Sequence, residues 1–446
     1  MMKKSFKISF TGSLLAFFLL FNPLYAQKNM TLQSCIDYAL ENSYAVKQKI
    51  LEKEANYVQL QSRKFSITPS VGANVGQNFD FGRSPLPDNT IKNTTQSATT
   101  NFAVSLNMDI FQGLRTHHQI KSDKLNLAAT QFDIEDAKEN IELTITAYYL
   151  QILLNKEILE VMKAQVVLDQ EQVNRIQILV NNGRSSEAEL YGAKSTLSTD
   201  QLSVVESENS VRLSLLDLAQ LMNYPNISDF DIVIKDDYSE IDVILNKNID
   251  VLSVIDYALT NRPMIKAALT RIEQAKRDIK VYQSGWYPTL GLTAYYGSSY
   301  FYQFKGFPND KFGLQFKNYA RESIGLSLHI PIFDRLSTYF NVKQQRIRVK
   351  SQELQLEETK RNLIKSIEQS YVNAVASKEK YAASQVAYEA SKIAFQYEEV
   401  KYSAGSSTNY EFNEAKNKYL KAQSNLIQAK FDFLFRIKIL EFYGKK

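Results

Sequence analysis

Few side chains in this chain of 446 residues have the types and spacing for chemistry. There are three histidines, His117, His118 and His329, and one cysteine, Cys35. His117 and His118 are neighbours in a helical stretch and so point to different sides, which argues against a shared metal. A lone cysteine permits no internal disulfide and reads as a small buried helix residue. No phosphate-cradling loop or nucleophile motif is present. Glu411 and Glu414, three apart, share one helix face. No reaction, metal or cofactor is expected, and the chain does not read as an enzyme.

The elements that carry these residues come in two sets. "IDYAL" occurs at Ile36–Leu40 and again at Ile255–Leu259. At the same offset Asn42 matches Asn261, Pro69 matches Pro288 and Gly72 matches Gly291. Further on, "SLNMDIF" (Ser105–Phe111) faces "SLHIPIF" (Ser327–Phe333), and "NNGRSSEAEL" (Asn181–Leu190) faces "SAGSSTNYEF" (Ser403–Phe412). A period this long means a duplicated unit, not a short solenoid repeat. The expected organisation is a leader over residues 1–26, a first repeat over 27–223, a linker over 224–249 and a second repeat over 250–446.

The leader has a basic start (Lys3, Lys4, Lys7), an apolar stretch from Ile8 to Phe21 and the small residue Ala26, the pattern of a secretory signal peptide. Gln27, not a cysteine, follows the expected cut, so no lipid is expected there. The net charge is +5, and three of those charges belong to the leader. Acids and bases are otherwise interleaved, which does not suit nucleic-acid binding.

Proline and glycine are missing between Leu114 and Asn182 and again between Phe333 and Ala404. Helices over such spans run roughly 100 Å each. Val342, Val349, Leu356 and Leu363 step by sevens, a helix-packing seam. Thr31–Thr68 is also free of both breakers and reads as one clean stretch. Its counterpart holds Pro263 after Asn261, which predicts a short helix, a break and a new helix.

Four segments alternate instead. Val71, Ala73, Val75, Phe79 and Phe81 alternate with small or polar residues; so do Phe102, Val104, Leu106, Met108 and Ile110. In the second half the apolar sets are Leu290, Leu292, Ala294 and Tyr296, then Ile324, Leu326, Leu328, Ile330 and Ile332. Such strands match outer-membrane barrel strands; the competing expectation is a soluble sheet with its apolar face on a core. Segments 82–99 and 303–319 would be the loops. Trp286 and Tyr287 fit an interfacial aromatic anchor. Four strands cannot close a barrel, and an open edge is not tolerated in lipid. The chain must therefore assemble; two copies give eight strands, three give twelve, and the count alone does not choose.

The "TLQSCIDYALENS" start, the Pro–x–x–Gly openings at Pro69 and Pro288, the "LSLHIPIFDR" passage and the Gly183 and Gly405 turns, in this order and twice, resemble the TolC family of outer-membrane efflux proteins (outer membrane factors). The resemblance covers nearly the whole mature chain. It implies an α+β membrane protein with a two-fold internal repeat, long helical hairpins and four amphipathic strands per chain. A homotrimer would form a 12-stranded β-barrel in outer-membrane lipid and a 12-helix periplasmic tunnel. It further implies the passive exit duct of a tripartite efflux or type I secretion pump, with a periplasmic adaptor and an inner-membrane pump as partners. The linker would lie in a band outside the tunnel.

By position from the turn glycines, the resemblance makes Glu411 and Glu414 the acids of a ring at the tunnel entrance, where crowding would raise some of their pKa values. It makes Tyr402 a residue that holds the entrance shut, with Glu189 as its hydrogen-bond partner. The tips at Gly183, Arg184 and Ser185 and at Gly405, Ser406 and Ser407 would dock the adaptor. Ser407 stands where the family pattern has a gate arginine, and Arg184 is the candidate substitute. The readings weighed against the duct are an exported coiled-coil structural or adhesive protein and a periplasmic adaptor, which would want a lipoyl-like domain and a single hairpin.

Overall fold

The computed structural model describes residues 28–85, 91–225, 229–233, 250–304 and 308–444. The expected leader over 1–26 and most of the linker over 224–249 lie outside the described residues.

Helices break where the duplicated motif ends. Helix α1 (Leu32–Asn42) stops at Ser43 and α2 runs over Tyr44–Phe65; α5 (Val251–Asn261) stops at Arg262 and α6 runs over Pro263–Gln283. Ser43 (φ −59, ψ 128) and Arg262 (φ −61, ψ 133) take the same extended turn. Each preceding asparagine caps the end the same way: Asn42 Nδ2 donates to the Tyr38 carbonyl and Asn261 Nδ2 to that of Tyr257, both at 3.1 Å. The break after Asn261 follows the proline signal. The first half was expected as one clean stretch, yet it breaks too. The capping asparagine supplies there what proline supplies in the second half.

The strands form one antiparallel sheet in the order β2 (Ser70–Pro85), β3 (Ile91–Gln112), β5 (Thr289–Gln303), β6 (Arg321–His329), while β1 (Lys28–Met30) pairs in parallel with β4 (Phe230–Ile232). The long helices are α3 (Arg115–Asn181) and α8 (Ser337–Ser403), 67 residues each; their return helices are α4 (Glu187–Leu221) and α9 (Asn409–Gly444). The order α–α–β–β–α–α thus occurs twice, with one short helix inserted between the strands of the second half.

Three strand limits differ from expectation. The first hairpin climbs further than its glycines suggested, with β2 reaching Pro85 and β3 starting at Ile91. The segment expected as the second loop contains a helix, α7 (Phe312–Asn318). Strand β6 ends at His329, before Pro331, which has no N–H to continue a ladder.

The described residues form two compact units, each drawing on both halves: those within Met1–Val46, Lys138–Val254 and Ile367–Lys446 in one, those within Lys47–Ala137 and Ile255–Ser366 in the other. In the first, α1, β1 and β4 pack with stretches of α3, α4 and α9 around Cys35, Ile145, Ile152, Leu218, Met222 and Phe433. Burial pushes the Cys35 thiol up to about 12, so it is an inert core residue. Strand β4, from the linker, is fixed there: the Tyr149 hydroxyl donates to the Val233 carbonyl at 2.7 Å, and Lys156 Nζ meets Asp231 at 2.5 Å.

In the second unit the heptad seam is buried as read, with Val342, Val349, Leu356 and Leu363 all under 9% exposed. The sheet is different. Its apolar positions face outward: Val71 is 67% exposed, Phe81 71%, Ile324 83% and Leu326 68%. A soluble sheet would bury that face on a core. Here α7 covers only one end of it, with Phe312 and Phe316 against Phe102. Both strand-to-helix corners use two consecutive left-handed residues, Gly113 and Leu114 (φ 60 and 65) after β3, then Arg335 and Leu336 (φ 56 and 61) after β6. At Gly113 a side chain would sit 2.6 Å from the Ser284 carbonyl, so only glycine fits.

Candidate functional site at the helix tips

The tips are twin constructions. At the end of α3, Arg184 N–H donates to the Leu179 carbonyl (2.8 Å) and Gly183 N–H to that of Val180 (2.9 Å). At the end of α8, Ser406 N–H donates to Lys401 (2.9 Å) and Gly405 N–H to Tyr402 (3.1 Å). These are Schellman closures, with Gly183 and Gly405 at φ 68 and 74, left-handed as the closure demands.

Each following helix opens on a capping motif. The Ser186 hydroxyl accepts from Glu189 N–H at 3.2 Å, and the Thr408 hydroxyl accepts from Glu411 N–H at 3.2 Å. Glu411 reciprocates, accepting from Thr408 N–H at 2.9 Å, which completes a capping box. That bond, then those from the Thr408 and Ser407 hydroxyls, hold the Glu411 carboxyl below the usual range. Within one chain Glu411 is therefore a helix cap whose own turn holds its carboxyl low. Glu414 points to the same groove as Glu411 and pairs with Lys418 at 2.7 Å.

Tyr402 is held by other residues than expected. Its hydroxyl accepts from Gln172 Nε2 at 2.6 Å, in place of the expected bond with Glu189. The Glu189 carboxylate is occupied by its own turn, where the Ser185 hydroxyl donates to it at 2.6 Å. Arg175 Nη2 donates to the carbonyls of Tyr402 (3.3 Å) and Ser403 (3.2 Å), and its guanidinium lies 5.0 Å from the Tyr402 ring centre. Phe412 stacks on that ring at 4.8 Å. Burial raises the Tyr402 phenol; the Gln172 bond opposes the shift and the nearby Glu189 charge adds to it. Ser407, at the position of the missing arginine, instead links Glu398 of α8 to Glu411 of α9. The arginine that bonds the end of α8 is Arg175, two turns before the end of α3.

This architecture can be set beside known proteins. Residues 35–224 and 254–434 match the family described as outer membrane efflux protein. The chain belongs to that family. Outer membrane protein TolC of Escherichia coli is 21% identical over 392 residues, covering 86% of this chain and 76% of that protein. Toxin and drug export protein A of Aggregatibacter actinomycetemcomitans is 21% identical over 369 residues, with 81% and 76% covered. The CmeC outer membrane channel of Campylobacter jejuni superposes with a TM-score of 0.76 at 18% identity, covering 94% of this chain and 86% of that one. The resemblance read from the repeated motifs therefore holds. This is an outer-membrane protein of the efflux family, and its work is passage rather than catalysis.

Membership in the efflux family also sets aside the adhesive and adaptor readings. It does not account for the cluster behind the tip. Lys416 of α9 is 1% exposed, and its ammonium contacts Asp169 of α3 and lies 3.9 Å from Asp200 of α4. Gln165 Nε2 bridges the two acids, at 3.2 Å to Asp169 and 2.8 Å to Asp200. Nothing in the spacing of these four residues marks them, because three helices bring them together. Burial pushes Asp169 up to about 6, with Asp200 adding to the shift and Lys416 opposing it. Between its ordinary 3.8 and about 6 the folded chain thus binds this proton more tightly than the unfolded one. The cost of its charge is present above that window and vanishes as pH falls through it. Asp169→Asn removes the titration. The melting temperature of the wild type minus that of Asp169→Asn, read by circular dichroism, is expected to rise by a few degrees from about pH 7.5 to about pH 5. A flat difference would show that Asp169 keeps an ordinary pKa.

Proposed function

We propose that this protein is the outer-membrane exit duct of a tripartite export pump, serving efflux or type I secretion, and that it works as a homotrimer. The observation that carries this is the four-stranded sheet of the second unit. It presents an apolar face outward, and among the described residues its end strands, β2 and β6, each have a single sheet neighbour. Unpaired edges cannot stand in lipid. Three copies supply twelve strands for a closed barrel, with the polar face lining a lumen. On the polar face the Ser299 hydroxyl donates to Asn101 Oδ1 across β5 and β3 at 2.8 Å.

In this reading residues 1–26 are removed on export, repeats 27–223 and 250–446 each supply two strands and a helical hairpin, and linker 224–249 lies in an outer band. Trp286 and Tyr287, 50% and 57% exposed, sit at the membrane interface. Tyr402, Glu189, Glu411 and Glu414 belong to the periplasmic gate, and the tips at Gly183–Ser185 and Gly405–Ser407 dock an adaptor that joins the duct to an inner-membrane pump. The inner-membrane partner chooses the cargo and supplies the energy.

Planar-bilayer recording of the purified mature protein in asymmetric KCl tests the reading. A small, cation-selective current is expected, small because the tips are closed and cation-selective because carboxylates line the entrance. Confirmed insertion without any current would remove the duct.

A further inference from the structure

The corner between the sheet and the helices in the second unit holds a second candidate site. The ladder from β3 to β5 shifts register between Asp109 and Phe111, so Phe111 pairs with Leu290 and Met108 with Leu292. That bulge turns Phe111 onto the apolar face, the one that would meet lipid. Beside it opens a cavity of about 500 Å³, lined by Phe111, Leu114, Trp286, Tyr287, Lys280 and His118.

The cavity lining also carries two basic side chains, Lys280 and His118, with further positive charge nearby. His117, Arg277, Lys121 and Lys280 all lie close enough to His118 to depress its pKa, an effect second to that of its burial. Arg277 and Lys280 are three apart on α6, and His117 and Lys121 four apart on α3, so each pair shares a helix face. Asp278, the neighbouring acid of α6, is occupied by the Ser122 hydroxyl at 2.6 Å. His118 Nδ1 is buried and, among the described residues, has no hydrogen-bond partner. The start of α3 at Arg115 adds the positive end of a helix dipole. Apolar wall, basic side chains and an unused imidazole nitrogen are the complement of one kind of molecule: an acyl chain joined to an anionic phosphate.

We propose that this corner is a binding site for an anionic phospholipid of the periplasmic leaflet, its phosphate held by Lys280 and His118 of the lining, with Arg277 adding positive potential, and its acyl chain laid against Phe111, Leu114 and Trp286. The proposal rests on the membrane-barrel reading above. It fixes the depth of the barrel in the membrane by a specific headgroup rather than by aromatic anchoring alone.

Trp286 is the only tryptophan in the chain, so its fluorescence reports on this cavity alone. The full-length mature protein would be reconstituted in mixtures of unlabelled phosphatidylcholine with brominated phosphatidylglycerol or brominated phosphatidylcholine. Bromine quenches the indole only on contact. Brominated phosphatidylglycerol is expected to be preferred about fivefold at low salt, with the preference falling as salt rises. Lys280→Gln with Arg277→Gln should bring the preference close to unity without changing the helical circular dichroism. Equal quenching by both lipids would overturn the anionic site and leave the barrel in place. No quenching by either would overturn the site by showing that Trp286 does not meet lipid, and the conductance experiment would then tell whether the duct falls with it.

Discussion

Replacing Lys416 with methionine is expected to lower the melting temperature of the helical signal by about 10 °C or more. The side chain is almost fully buried, and its ammonium is the cation shared by Asp169 and Asp200. Methionine fills much the same volume but leaves a buried carboxylate uncompensated. Breaking such a pair from one side costs about 3–5 kcal/mol, and a unit of this size shifts by about 2–4 °C per kcal/mol. Asp200, 25% exposed, can turn to water; Asp169, 5% exposed, cannot. Adding Asp169→Leu to the Lys416→Met variant should therefore restore most of the loss, since replacing both partners by apolar groups is nearly neutral. Circular dichroism at 222 nm checks both variants. A single variant as stable as the wild type would mean that water reaches the cluster and that the three helices do not depend on it.

The second large effect concerns the tip. Arg175→Ala together with Tyr402→Phe is expected to raise single-channel conductance or open probability by roughly tenfold per latch removed, since about 1.4 kcal/mol shifts a two-state equilibrium that far. Arg175 makes two bonds to carbonyls at the end of α8 and covers the Tyr402 ring, and Gln172 holds the Tyr402 hydroxyl. A bond from a charged donor contributes about 1.5–3 kcal/mol when buried and less at a half-exposed place such as this. Glu189→Ala should have a smaller effect, because its carboxylate bonds Ser185 in its own turn. If Glu189→Ala opened the channel and the Arg175 and Tyr402 variant did not, the latch would be assigned to the wrong side chains.

Much of the architecture was legible because it depends on periodicity. The seam through Val342 and Leu363 and the outward row at Ile324 and Leu326 are properties of short stretches, and the structure has them where the spacing put them. The break at Ser43 was less legible because no proline or glycine marks it, although its twin at Arg262 and the repeated asparagine carried the signal. The tip caps were within reach too: Ser186–x–x–Glu189 and Thr408–x–x–Glu411 are the capping-box pattern. The Tyr402 partners were not. Gln172 lies 230 positions from it, and no local rule joins them. The same holds for Lys416, one lysine among many charges on a helix that reads as solvated, whose burial is set by two other helices.

The two end strands of the sheet also constrain how copies can meet. Its strands alternate in direction and number four, so β2 and β6 run opposite ways. Joining β6 of one chain to β2 of the next continues the alternation, whereas β6 beside β6, with both chains upright in the membrane, would run parallel and break it. In the proposed ring the contact would therefore be head-to-tail, not self-complementary. Two joined chains still present one bare β2 and one bare β6, the same pair a single chain presents. No partial assembly is satisfied, and the reward comes only when the last edge finds the first. Growth by addition thus has no resting place short of ring closure, and a chain whose β6 cannot pair would withhold closure from every ring it enters.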